Sequence, residues 1–115
     1  KLITDGFEVH HFGWIKEPVL INDDKYHCHT HLEFFEQIKA SLGCDFSIGT
    51  DSGSMWVLGA YSHPFIILNG PWMPGHVQNF EAFLPPNKKG KYIFKLPNIN
   101  YIEYKDIQEK IKEIV

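Results

Sequence analysis

Two short stretches hold most of the residues that could do chemistry. The first is Thr50-Asp51-Ser52-Gly53-Ser54, set between apolar runs at 45–49 and 64–70. The second is His27-Cys28-His29-Thr30-His31. In the first, two hydroxyls and a glycine precede a segment able to form a helix. A helix start offers unpaired backbone N–H groups and a partial positive charge, which suits a phosphate. Gly53 lets a ligand approach the main chain, and Ser52 and Ser54 add donors. Asp51 does not suit a phosphate; it faces a sugar hydroxyl or caps the helix. The same five residues also make a good N-cap with no ligand, and local pattern alone favours the cap.

In the second stretch, alternate residues of an extended segment share a face, so His27, His29 and His31 can converge. Imidazole and thiolate are good zinc ligands, but structural zinc sites usually draw on two separated clusters. Cys44 is the one plausible second thiol, and a solvated histidine loop before a helix is the simpler reading, so no metal is expected. His10 and His11 are strand neighbours facing opposite ways, so at most one joins any site.

The elements that must position these groups follow from periodicity. Residues 7–13 read as a short strand, after a helix end at 1–5 stopped by Gly6. Residues 14–29 read as a long loop, with a short extended piece at Val19, Leu20 and Ile21. Residues 30–43 give the strongest helix pattern: Thr30 and Glu33 have capping-box spacing, and Leu32, Phe35, Ile38, Lys39 and Leu42 follow the helical period. A strand at 45–49, a helix at 52–62 and a doubly covered strand at 64–70 come next. Residues 71–91 read as loop, 92–96 as strand and 104–115 as a helix with Ile107, Ile111 and Ile114 on one side. Strand, helix, strand, helix, strand describes an α/β layer structure with a small parallel sheet.

Composition sets outer bounds. A chain of 115 residues, 43% hydrophobic and 15% aromatic, can build one ordinary core. A net charge of −3 gives no broad attraction to nucleic acid or an anionic membrane. No apolar run is long enough to span a bilayer, and residues 1–13 lack a signal-peptide layout. Two cysteines make no disulfide framework, which points to a cytoplasmic protein with free thiols. Lys88, Lys89 and Lys91 read as a solvated cluster. There is no G-x-S-x-G elbow for a serine hydrolase, no G-x-G-x-x-G and no P-loop.

Residues 46–70 resemble the nucleotide-sugar-binding half of GT-B glycosyltransferases, most closely the ADP-heptose heptosyltransferase family. Asp51, Ser52, Gly53, Ser54 and Met55 match that family's strand-to-helix loop in order. Trp56 stands where the family usually has His and is similar to the autotransporter heptosyltransferase branch. Residues 5–13 resemble the family's preceding strand, and 99–115 its closing strand and helix. The resemblance implies a Rossmann-like three-layer sandwich, half of a GT-B fold, with residues 1–115 as a single domain from a two-domain protein. It implies that Ser52, Gly53, Ser54 and the Met55 amide hold the diphosphate of a donor, and that Asp51 contacts the donor sugar. Trp56, Gly70, His76 and Asn79 are possible pocket residues. Trp72 reads more simply as a core anchor. The implied activity is glycosyl transfer from a nucleotide-diphosphate sugar to an unspecified acceptor, with no cofactor. The family's general base lies in the other domain, so no catalytic residue is expected in this chain. A non-catalytic Rossmann-like module for protein interaction or nucleotide binding is the alternative, with aromatics of residues 71–83 as its surface.

Overall fold

A computed structural model describes residues 1–13, 18–50, 53–69, 90–95 and 99–114. The chain divides into two compact units, Lys1–Gly43 and Cys44–Val115. Both are α/β, each with its own small parallel sheet.

The first unit opens on a single turn, not a helix end of any length. Phe7 N–H donates to the Leu2 carbonyl at 3.1 Å and Gly6 N–H to the Ile3 carbonyl at 3.0 Å. This is a Schellman closure, and Gly6 occupies its left-handed position at φ 98°. The stop expected at Gly6 is present. Strand β1, Val9–His11, then pairs in parallel with β2, Tyr26–Cys28. β2 lies within residues read from sequence as loop. The Val19, Leu20 and Ile21 segment has no regular structure and is exposed.

Helix α1, Phe34–Leu42, starts three residues later than the capping-box spacing implied. Glu33 is its N-cap, without a side-chain cap bond. Thr30 is buried instead, with its hydroxyl 3.3 Å from Cys28 Sγ. Of the expected apolar face, Ile38 is buried, whereas Phe35 is exposed and meets Phe34 edge to face. Gln37 fastens the helix to the end of β1: its Oε1 accepts from Gly13 N–H at 2.9 Å and its Nε2 donates to the Gly13 carbonyl at 3.0 Å. A side-chain amide here substitutes for a strand partner.

The second unit is a three-stranded parallel sheet in the order β3-β4-β5: Ser47–Thr50, Phe65–Asn69 and Gly90–Phe94. Helix α2, Gly53–Ala60, crosses from β3 to β4 and packs on both. α3, Tyr104–Ile114, packs on β4 and β5. The apolar run at 64–70 is the centre of the core: Phe65, Ile66 and Ile67 are fully buried, so both faces of β4 are covered. In α3, Ile111 is buried and Ile107 and Ile114 are half-buried, while Lys105, Glu109 and Lys112 are exposed. Asp106 Oδ2 accepts from Glu103 N–H at 3.0 Å, the return half of a capping box, and lies 3.5 Å from Lys95 Nζ. These contacts hold its carboxyl below the usual carboxylate range, the N–H first and the Lys95 charge after it. Residues 99–101, matched by resemblance to a closing strand, form one 3-10 turn. Among the described residues no helix is long and apolar enough to cross a membrane.

Two backbone positions test this packing. A Cβ at Gly90 would lie 2.5 Å from Phe65 Cζ. That ring is fully buried and has nowhere to retreat. Gly90→Ala is expected to cost about 1–3 kcal/mol; an unchanged urea midpoint would refute the contact. The second is Ser62, at φ 57°, where α2 ends. His63 N–H donates to the Leu58 carbonyl and Ser62 N–H to the Gly59 carbonyl, another Schellman closure without glycine. Because Ser62 is exposed, its backbone decides the outcome. Ser62→Val should lower stability by roughly 1–2 kcal/mol while Ser62→Gly does not. Equal losses in both would remove the left-handed assignment.

Candidate functional site

The carboxyl edge of the second unit's sheet is where α/β proteins usually place ligands. β3 ends at Thr50 and α2 begins at Gly53, so two residues separate the strand from the helix. Thr50 pairs in register with Leu68, which puts buried Asn69 one step beyond, at the end of β4. Met55 is buried against β3: a Cβ at Gly49 would lie 2.9 Å from its Sδ. Gly49 therefore lets the first turn of α2 sit close to the strand. Ser54 and Trp56 are half-buried on that helix.

Of the expected donor-site residues, Gly53, Ser54 and Met55 lie in the first turn of α2, with Trp56 following. Asp51, Ser52, Gly70, His76 and Asn79 lie outside the described residues, as does Trp72. Met55 contributes its side chain to the core, which leaves its amide as the group to consider for a ligand. Asn69 was not singled out from sequence; a polar residue closing a continuous apolar strand was the available signal.

The first unit carries a second constellation, generated by strand geometry. Residues paired in register on parallel strands share a face, and so do residues two apart. His10 pairs with His27. Glu8, His10 and Phe12 therefore join His27 and His29 on one face. The contacts agree. His10 Nε2 lies 2.9 Å from Glu8 Oε1, and His27 Nε2 lies 3.2 Å from the same oxygen. His10 Nδ1 lies 2.8 Å from His29 Nε2. His27 stacks on His10 with ring centroids 4.7 Å apart, and Phe12 stacks on His29 at 5.0 Å. Burial holds His29 below the usual imidazole range, reinforced by the charges of His10, His27 and His31. One ligand atom each from Glu8, His10 and His27 lies within 4.8 Å of the other two. His31 occupies the exposed turn after β2. The expected convergence of His27 and His29 is present, but the groups that join them are His10 and Glu8. Sequence reasoning missed Glu8 because β2 itself was missed.

The opposite face holds His11, Tyr26, Cys28 and Thr30. As expected, His10 and His11 part company. The Tyr26 hydroxyl lies 2.8 Å from His11 Nδ1 and accepts from Leu20 N–H at 3.3 Å. Cys28 Sγ lies 3.8 Å from His11 Nδ1. The Cys28 thiol is pulled below its ordinary range, chiefly by hydrogen bonding from the Thr30 hydroxyl and backbone N–H, with His11 adding to this. Thiolate is the reactive form. Cys28 is thus expected to react with iodoacetamide at lower pH than a free cysteine thiol, and Thr30→Val should move its rate profile to higher pH. A Cys28 profile that matches free cysteine would contradict the assignment.

No family model matches the chain, and neither a curated protein nor a solved structure matches it.

Proposed function

We propose that the chain is the donor-binding domain of a GT-B glycosyltransferase, a Rossmann-like three-layer half that takes a nucleotide-diphosphate sugar. The observation that carries the proposal is the parallel β3–α2–β4 unit, whose helix starts at Gly53 just beyond the carboxyl end of β3. That is the arrangement the resemblance of residues 46–70 calls for. In this reading the amides of Gly53, Ser54 and Met55 face the diphosphate, with the Ser52 and Ser54 hydroxyls beside them. Asp51 contacts the sugar, and buried Asn69 borders the site from the neighbouring strand end.

The chemistry of the whole enzyme is displacement at the anomeric carbon. The nucleoside diphosphate leaves, and aligned amide dipoles stabilise the charge growing on it. A base from a second domain would take the acceptor proton, so this chain binds a donor and does not by itself complete a transfer.

The test is thermal denaturation with a panel of nucleoside diphosphates and their sugars. A ligand at a hundred times its dissociation constant stabilises the folded state by about 2.7 kcal/mol, a rise of many degrees for a domain of this size. Gly53→Val should abolish the rise, since its side chain would obstruct the amides. A folded sample that shifts with no member of the panel would refute the reading.

A further inference from the structure

We propose that Glu8, His10 and His27 form a binding site for a zinc-class divalent cation, with His29 as the residue that positions His10. This site is separate from the donor site and does not depend on that reading.

The spacing fits such an ion. Zinc–nitrogen and zinc–oxygen bonds near 2.0–2.1 Å in tetrahedral geometry require ligand atoms about 3.3 Å apart. Glu8 Oε1 lies 2.9 Å from His10 Nε2 and 3.2 Å from His27 Nε2. Each nitrogen needs to part from Glu8 Oε1 by a few tenths of an ångström, the three ligand atoms already lie within 4.8 Å of one another, and one of the two stacked rings must turn so that both lone pairs meet at the ion. Glu8 is 60% and His27 41% exposed, so both side chains can make that adjustment and the ion has an entry path.

The group that orients His10 is already in contact with it. Histidine ligands usually donate their remaining ring N–H to a neighbour that fixes tautomer and orientation. His10 Nδ1 has such a neighbour in His29 Nε2 at 2.8 Å. Phe12, stacked on His29, limits the swing of that ring in turn. An ion takes the Nε2 lone pairs of His10 and His27, so in the occupied site each of these two rings carries its proton on Nδ1. Two imidazoles and a carboxylate leave a net charge of +1 on the occupied site. They also leave a fourth position for water or an anionic group, as in three-ligand zinc sites. Imidazole with carboxylate suits zinc and its first-row neighbours over calcium or magnesium, which prefer all-oxygen shells.

The experiment is equilibrium dialysis of the untagged full chain against zinc chloride, with elemental analysis and titration calorimetry. The expected result is one zinc per chain. His27→Ala and Glu8→Gln should each weaken binding at least tenfold, His29→Ala by about tenfold, and His31→Ala should leave it unchanged. Glu8→Gln is exposed and isosteric, and far-UV circular dichroism checks that it folds. A wild-type measurement stands beside the variants: nitrogen chemical shifts of the imidazoles on adding zinc should move for His10 and His27. The proposal is overturned by zinc well below one equivalent, by Glu8→Gln binding like wild type, by loss in His31→Ala equal to that in His27→Ala, or by shifts confined to other histidines.

Discussion

A parallel ladder in register places paired residues side by side on the same face, and this constraint organises both units. In the first, the pairing of His10 with His27 decides every neighbour relation around it. Glu8, Phe12 and His29 follow because they stand two residues away. His11, Tyr26, Cys28 and Thr30 follow on the other face for the same reason. A slip of one residue would exchange the two sets. Glu8 and His10 would then lose His27 and His29, and His11 would lose Tyr26 and Cys28. Each face thus contains cross-strand contacts that only one alignment allows.

In the second unit the same rule acts on apolar groups. β4 lies between β3 and β5 and is covered on both faces, so its residues cannot alternate polar and apolar as an exposed strand would. Close packing then demands small residues on the flanking strands. Gly49 stands where Met55 descends onto β3, and Gly90 stands opposite the ring of Phe65. The position of Gly53, and with it the direction of the first α2 amides, depends on how closely Met55 can approach. Burial of one methionine therefore reaches the proposed donor site through the orientation of a helix.

The second unit was the more legible in sequence. Its runs are long enough for period and composition to agree: the strands at 45–49 and 64–70 and the helices at 52–62 and 104–115 all appear, with bounds shifted by a residue or two. In the first unit, β2 spans only Tyr26–Cys28, too short for a period of two to stand out among histidines. Its strand character comes from pairing with β1, a tertiary fact. Thr30 and Glu33 fit a capping box by spacing, but Thr30 is drawn into the β2 face by Cys28 and the helix starts after it. Gln37, which ties α1 to Gly13, has no sequence signature, since any surface glutamine looks the same. Of the two candidate sites, the one after β3 rests on adjacent residues, and of these Gly53, Ser54 and Met55 lie at the start of α2 as expected. The Glu8 and histidine cluster could not be read from local residues, because its members are distant in sequence and meet through β2.

The histidine face is poorly explained as a device for stability. Glu8 is mostly exposed, and exposed ion pairs contribute little, typically under about 1 kcal/mol. His29 is held toward its neutral form by burial and by the charges of His10, His27 and His31. Meanwhile β1 and β2 are already joined by their backbone ladder, and α1 is fixed to β1 through Gln37. The cluster is therefore additional to what the unit needs to fold. Imidazoles gathered around one accessible carboxylate gain little from one another, and their nitrogen and oxygen atoms are the kind of donors that the proposed cation would draw together.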